Sequence, residues 1–495
     1  MQPNFYIEEI FDLFDAVQKS KIFEDQKVMA DAIPLFPVPE INEKYASEKG
    51  KNDFHLKEFV LKHFKFNQTE PSIDKEEKLP IETYIEKLWD ELTRTADEDQ
   101  GTLLKLPKPY IVPGGRFNEF FYWDSYFVML GLQVSGRIEM MKNIIENCAY
   151  LINKFGFVPN GNRTYFLSRS QPPYFSLMLD LLAEATKDKT VYSQYFETME
   201  KEYRFLMDGA EEIEAHNQYR RVAKTKEGDV LNRYFDDKNA PRWESYRVDL
   251  EVAADSGNPE FHRNVRAACE SGWDFSSRWF ADGHSMKTIY TLSLAEVDVN
   301  CLLWHLESTL AKASELQNFE AKKNYYRQKA DIRKKNINQY FWSEEDKIYK
   351  DYNIETEAHT FSEHIGTLYP LFFKLSTAEQ AKSVAETITE KFLKSGGLIT
   401  TTKESGQQWD SPNAWAPFQW LGYVAMRNYG FDDLAERIKN TWCTNVERIY
   451  EHTGKLMEKY DAIDTAHIAG GGEYPNQYGF GWTNGVYVKL KNDYE

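Results

Sequence analysis

The sequence predicts an all-α chain folded as a toroid, an inner ring of helices wrapped by an outer ring, with an N-terminal helix and an extended arm beside it. Three observations predict this. Apolar residues recur at helical spacing through most of the chain, and runs of alternating β pattern are scarce. Stretches rich in turn residues, aromatics and carboxylates separate the helical stretches, roughly every 40 to 60 residues and without a literal repeat. The length, 495 residues, allows two or three domains or one large repetitive one. Six helical hairpins would close such a ring and gather its loops at one end.

Taken in order, Ile7, Ile10, Phe11, Phe14 and Val17 form the apolar stripe of an opening amphipathic helix. Ile33 to Glu40 carries three prolines, which predict an extended arm. Glu48 to Asn52 reads as a polar loop and Ser72 to Lys78 as a charged linker. These divide the chain into an N-terminal helix and arm, 1–78, packing on a barrel, 79–495. Within the barrel, Tyr84, Ile85, Leu88, Trp89 and Leu92 make one helical stripe. Met141, Ile144, Ile145, Cys148, Leu151 and Ile152 make another. Further helices are predicted over Tyr174 to Ala185, Leu306 to Ile337 (one long stretch), Ala378 to Leu393 and Leu434 to Tyr450.

The net charge of −18 and a pI near 5.2 argue against a nucleic-acid partner, because phosphate binding needs a basic face. No apolar run approaches a membrane span. The start, MQPNFYIEEIFDLF, lacks a basic n-region and an apolar h-region, so a cytoplasmic protein is expected, or a periplasmic or secreted one if a leader was removed. The four cysteines, Cys148, Cys269, Cys301 and Cys443, have no metal-ligand spacing and read as buried thiols. A monomer is expected.

Three stretches stand apart from the helical background. Pro113 to Tyr126, PGGRFNEFFYWDSY, packs glycines, Arg116, Glu119, Asp124 and six aromatics together. It is too charged for core and too aromatic for a solvated loop. Flat apolar faces beside charged forks suit a sugar pocket. Gln407 to Trp420, QQWDSPNAWAPFQW, and Gly470 to Trp482, GGGEYPNQYGFGW, repeat the mixture. One site assembled from several loops is the natural reading. Phe155 to Pro173 adds Asn160, Asn162, Arg163, Arg169 and Gln171, groups that read vicinal hydroxyls. Pro241 to Asp249, taken alone, reads as a salt-bridged turn with Arg242 and Glu244. In SGWDFSSRWF, Asp274 sits between Trp273 and Phe275. An aspartate in an aromatic wall loses solvation and gains a raised pKa, which suits a general acid; a helix N-cap is the competing reading. Residue types alone favour Glu473, in its glycine loop, over Glu458 in MEKYD as a second carboxylate. No metal motif, GxSxG elbow, phosphate loop or calcium loop is present, which leaves paired carboxylates and glycosidic bond cleavage.

These blocks resemble a known family. PGGRFNEFFYWDSY and QWDSPNAWAP resemble the two signatures of the trehalases of glycoside hydrolase family 37. GGGEYPNQYGFGWTNGV, SGWDFSSRWF and PNGNRTYFLSRSQPP resemble further blocks in the same order, and FEDQKVMADAIP resembles the N-terminal DSKTF segment. The resemblance runs from about Phe23 to Leu490. It implies an (α/α)6 barrel that hydrolyses α,α-trehalose to two glucoses with inversion, without a cofactor or metal. It implies Asp274 as general acid and Glu458 as general base. It also implies a substrate site of Arg116, Phe117, Trp123, Asp124, Asn160, Arg169, Ser170, Gln171, Arg242, Glu244, Gly272, Gln408, Trp409, Asp410 and Glu473. An (α/α)6 glycosidase for another α-glucoside and a non-catalytic trehalose-binding protein are the alternatives.

Three positions depart from the family pattern. Arg242-Trp243-Glu244 stands where RPE is usual, and loss of proline is expected to free the turn. Asn413-Ala414-Trp415 stands where NGW is common, and alanine is disfavoured at left-handed φ. EVDVN around Asp298 replaces PVDLN.

Overall fold

A computed structural model of the chain describes residues 4–66 and 79–492. The linker expected at Ser72 to Lys78 lies outside the described residues. Six segments form a closed inner ring: Tyr122–Val134, Phe175–Thr186, Val297–Leu316, Tyr369–Phe372, Ala416–Asn428 and Gly481–Asn492. Each packs on the next, and the last packs on the first. Tyr122–Val134 is buried over most of its circumference, from Tyr122 to Leu132, as a helix enclosed on all sides must be. The ring closes through glycine: a Cβ on Gly131 would stand 2.6 Å from the Cα of Gly485. Two helix backbones meet there without side chains between them.

Outer helices are amphipathic instead. Ile138–Phe155 packs on the inner ring through Met141, Ile144, Ile145, Cys148, Leu151 and Ile152, the predicted stripe. Phe196–Leu206, Glu320–Asn336, Asp432–Thr453 and Ile81–Glu91 each pack on an inner helix, and Ala378–Thr387 packs on the strand Ile348–Tyr349. The long helix predicted from Leu306 to Ile337 is in fact a hairpin. It breaks at Asn318, which takes φ 58°, a left-handed turn that asparagine tolerates.

The N-terminal segment is more helical than expected. Of the expected arm, Ile33 to Glu40, the part in a strand is Ile33–Pro34, which pairs antiparallel with Phe64–Lys65. Helix Val38–Glu48 begins directly after Pro37, with Pro39 in its first turn. Proline there loses no helical hydrogen bond and presets φ, so the clustered prolines start a helix. Phe11–Ser20 and Leu56–His63 complete the segment. Its apolar cluster, from Phe5 to Phe64, is closed by Phe121, Tyr165, Phe166, Trp243 and Tyr246 from the rest of the chain.

Strands are short antiparallel pairs in the loops. The aromatic loops feed the N-terminal ends of inner helices. Pro113 to Phe121 enters Tyr122–Val134, the strand Asn413–Trp415 enters Ala416–Asn428, and Glu473 to Phe480 enters Gly481–Asn492. Asn413–Trp415 also pairs with Lys459–Asp461, Trp415 opposite Lys459, which brings the segment holding Glu458 alongside.

Candidate active site

These loops surround one cavity of about 470 Å³, mouth included. Its walls are aromatic: Phe117, Phe121, Trp123, Trp409, Trp415, Tyr474, Phe480 and Trp482. Asp124, Asn160, Gln171, Asp274 and Glu458 supply its polar groups, with Pro113, Cys269 and Gly272 between them. Trp409 and Trp415 stack at 3.8 Å and 2°, and Trp482 meets both edge-on. Gly272 takes φ +79°, and a Cβ there would stand 2.8 Å from the Trp123 ring. Conformation and space both require glycine at this point.

Asp274 lies in the loop after helix Phe261–Glu270 and caps nothing. The cap is Ser276, whose hydroxyl accepts from Arg278 N at 3.1 Å to open the turn Ser277–Trp279. The segment is pinned from below. Asp410 accepts from Ser276 Oγ at 2.7 Å, Ser277 N at 2.8 Å and Thr401 Oγ1 at 2.8 Å. Arg278 is fully buried, donating to Asp351 at 2.7 and 2.9 Å and to Asp298 at 2.9 Å. Burial pushes the Asp274 carboxyl up to about 7; Arg242 pulls it down and Glu473 pushes it further up.

Glu458 is held by the glycine-rich block that follows it. Its N–H donates to Gln477 O at 2.8 Å, and its carbonyl accepts from Trp482 Nε1 at 2.9 Å. Tyr474 donates its hydroxyl to Glu458 Oε1 at 2.9 Å, and Lys459 Nζ lies 3.7 Å from Oε2. Burial raises Glu458, while Lys459 and the Tyr474 hydroxyl favour its charged form. Asp124, in the first turn of Tyr122–Val134, is pushed up to about 8 by burial, with the charges of Glu458 and Asp274 adding to it. Three carboxyl groups in one enclosed space do not all ionise near neutral pH.

The arginines stand just behind the cavity lining. Arg242 is clamped by Asp249, with Nη2 to Oδ1 at 2.6 Å, and by Glu473 at 2.8 Å, and its guanidinium lies over the Phe275 ring. Arg169 donates to Glu244 at 2.7 Å and lies 3.6 Å from Asp236. Arg116 lies over the Tyr474 ring and donates to Asp25 at 2.8 and 2.6 Å. That aspartate belongs to the N-terminal segment, which therefore reaches the rim of the site.

Of the residues implied from sequence, Phe117, Trp123, Asp124, Asn160, Gln171, Gly272, Asp274, Trp409 and Glu458 line the cavity. Arg116, Arg169, Arg242, Glu244 and Glu473 form the ion pairs around it. Ser170, Gln408 and Asp410 are placed otherwise. Ser170 donates to Val158 O, Asp410 is spent on the Asp274 segment, and both ends of the Gln408 amide are taken by protein groups. The sequence reading missed Lys459 and Tyr474, both touching Glu458. Tyr474 lay inside a flagged block, but nothing in MEKYD distinguishes Lys459 from a surface lysine.

Two of the three departures from the family pattern, Trp243 and Ala414, are resolved structurally. Trp243 opens the turn Trp243–Ser245, stacks on Tyr246 at 5.8 Å and 10°, and meets Phe14 edge-on at 5.3 Å. The bulk that replaces proline is absorbed by the N-terminal segment, and Arg242 and Glu244 keep their ion-pair partners. Ala414 lies in an extended strand opposite Tyr460, so no left-handed φ burdens it. Among the described residues no cluster of His, Cys, Asp and Glu is arranged to hold a metal ion, and no helix is long and apolar enough to cross a membrane.

Comparison with known proteins bears on the whole chain. The family model described as Trehalase matches residues 16–495. A periplasmic trehalase of Escherichia coli O8 (strain IAI1) is 41% identical over 483 residues, 97% of this chain and 85% of that one. The neutral trehalase Nth1 from Saccharomyces cerevisiae superposes with a TM-score of 0.65 at 25% identity, covering 84% of this chain and 81% of that one. A GH63 mannosylglycerate hydrolase from Thermus thermophilus shares the fold at 15% identity, with a TM-score of 0.57 over 83% of this chain and all of that one.

Proposed function

The chain belongs to the trehalase family, and from that premise we propose that it hydrolyses α,α-trehalose to two glucose molecules by an inverting mechanism, with Asp274 as general acid and Glu458 as general base. The observation that carries the assignment is the meeting of these two carboxyls, from distant segments, in one aromatic-walled cavity. The acid must hold a proton at the start, and burial favours that for Asp274. The base must be ionised; burial raises Glu458, and Lys459 and the Tyr474 hydroxyl oppose that by favouring its charged form. In this reading Asp274 gives its proton to the bridging oxygen while Glu458 takes one from a water attacking the opposite face of the ring. Stacked tryptophans exclude bulk water and offer flat faces to the C–H side of a pyranose. Asn160, Gln171 and protonated Asp124 supply hydrogen-bonding groups for its hydroxyls. The name of the bacterial relative supports a periplasmic place of action over the cytoplasmic one expected from the sequence.

Proton NMR of α,α-trehalose with the protein tests this reading. Equal α- and β-glucose in the first minutes is expected, because one ring leaves with its configuration kept and the attacked ring is inverted. α-Glucose alone would mean retention and would overturn the acid–base pairing. No glucose from folded protein would point to another glucoside or to a binding protein.

A further inference from the structure

Lys459 is a fully buried lysine in the strand that follows Glu458. Its Nζ donates to Gln408 Oε1 at 2.8 Å, lies 3.7 Å from Glu458 Oε2, and sits over the rings of Trp415 and Tyr474. The other end of the same amide, Gln408 Nε2, donates to the backbone carbonyl of Asp274 at 2.6 Å. Lysine only donates and a carbonyl only accepts, so the amide can point just one way. Gln408 is itself fixed, its backbone carbonyl accepting from Asn413 Nδ2 and Trp415 Nε1, both at 3.0 Å. Hydrogen bonds thus link the Asp274 backbone through Gln408 to Lys459, whose ammonium stands within ion-pair range of the Glu458 carboxylate.

Burying an ammonium is costly, and an unbranched apolar side chain of similar length would fill the same space without that cost. A buried charge beside a proposed base is the kind of local violation that marks a working site. We propose that Gln408 and Lys459 form a brace between the acid loop and the base strand, and that Lys459 is the positioning residue and counter-charge of Glu458. The inference rests on the assignment of Glu458 as base. Glu458 is faced by Lys459, its neighbour in the chain, by Tyr474 from the glycine-rich loop, by Arg116 from the Pro113 loop and by Asp124 from the first inner helix. Of the two cations, Arg116 is in direct contact with Asp25, whereas the ion-pair contact of Lys459 is Glu458 itself, with Asp274 acting on it more weakly.

The test uses Lys459→Met, Lys459→Arg and Gln408→Leu in the full chain, with the pH profile of kcat/KM as readout. Lys459→Met is expected to move the acidic limb up by about one to two pH units and to lower kcat about 10- to 100-fold, with KM nearly unchanged. Lys459→Arg keeps the charge and should return the limb to within about half a unit of the parent. Gln408→Leu removes the brace but not the charge, so kcat falls while the limb stays. A folded Lys459→Met with the parent's kcat and limb overturns the proposal, as does Lys459→Arg behaving like Lys459→Met. If Lys459→Met does not fold, the arginine and Gln408 variants decide on the same criteria. Glu458→Gln separates the two levels. If it keeps the acidic limb, the base assignment itself fails; if it loses the limb while Lys459→Met leaves it in place, only the brace fails.

Discussion

Glu473→Gln discriminates sharply between the acid–base assignment and its nearest rival. Glu473 is the carboxylate that residue types alone favour, and it is one-fifth exposed. It accepts from Arg242 Nη2 at 2.8 Å and from Ser245 Oγ at 2.9 Å. Its charge helps to raise Asp274, and it offsets Arg242, which lowers Asp274. Neutralising it therefore acts twice in one direction. The like charge is removed, and the guanidinium, still held by Asp249, is less compensated. A nearby charge shifts a carboxyl by about 1–3 units when well shielded, and partial exposure of Glu473 reduces that. The expected fall in the Asp274 pKa is about half to one unit, or about 0.7–1.4 kcal/mol. Activity needs Asp274 protonated, so the basic limb of kcat/KM should move down by that amount from near 7. The acidic limb should persist, because Glu458 is intact. The height of the profile is a poorer readout, since losing the charged hydrogen bonds to Arg242 and Ser245 also loosens the loop that carries Glu473. Initial rates of glucose release from pH 4 to 9 give both limbs. Disappearance of the acidic limb would make Glu473 the base; an upward move of the basic limb would refute the electrostatic argument.

Asp124→Asn should stabilise the protein increasingly as pH rises. The raised folded-state pKa, about 8 against 3.8, means that stability present below pH 4 is lost between pH 4 and 8. The variant's advantage should thus grow over that window, to several kcal/mol at most, and a Tm difference equal at pH 5 and pH 8 would contradict this. Trp243→Ala removes a buried ring from the Phe14–Tyr246 contact at a cost of about 3–5 kcal/mol. It should raise hydrogen exchange across Phe11–Ser20, and unchanged protection there would sink the docking role. Gly485→Ala places a Cβ 2.0 Å from the carbonyl oxygen of Phe127. It should cost about 3 kcal/mol or more, and a parental Tm would show that the ring can part at this seam.

The ring was legible because its outer helices carry a conventional 3.6-residue stripe, and every predicted apolar position in Ile138–Phe155 is buried. Its inner helices were read mainly through the loops before them, since a helix enclosed on all sides has little periodicity to show. Turn chemistry caused the errors. Asn318 splits a helix that looks continuous, and Pro37 and Pro39 begin a helix that they seemed to forbid. Within the site, residue types announced sugar-binding chemistry, but no local signal ranked Glu458 above Glu473. The difference is tertiary. Glu458 is enclosed by Tyr474 and Lys459, whereas Glu473 reaches outward to an arginine already paired with Asp249. Ser170 and Asp410 look like ligands for the same reason in reverse. Short polar side chains in aromatic loops have one composition whether they face a substrate or hold the loop itself.

Those surroundings also explain how two similar carboxyls can take opposite roles in one cavity. Each lies near a buried cation, but the cations are not equivalent. Arg242 faces two carboxylates besides Asp274, and its positive charge is spent on Asp249 and Glu473. Asp274 is left chiefly with the penalty of burial and keeps its proton. The ion-pair partner of Lys459 is Glu458 itself, and its remaining contacts, Gln408 and the rings of Trp415 and Tyr474, carry no charge that would cancel it. Its field therefore falls first on the proposed base and more weakly on Asp274. The acid and the base are thus distinguished less by their own solvation, which is poor for both, than by whether the nearest cation has been neutralised. Exchanging that condition should exchange the protonation preference: withdrawing Lys459 makes Glu458 resemble Asp274, and freeing Arg242 makes Asp274 resemble Glu458. On this argument Lys459→Met and Glu473→Gln fail by opposite routes. The first narrows the active pH range from its acidic side, the second from its basic side. The double variant should show both displacements together, leaving the narrowest profile of the set.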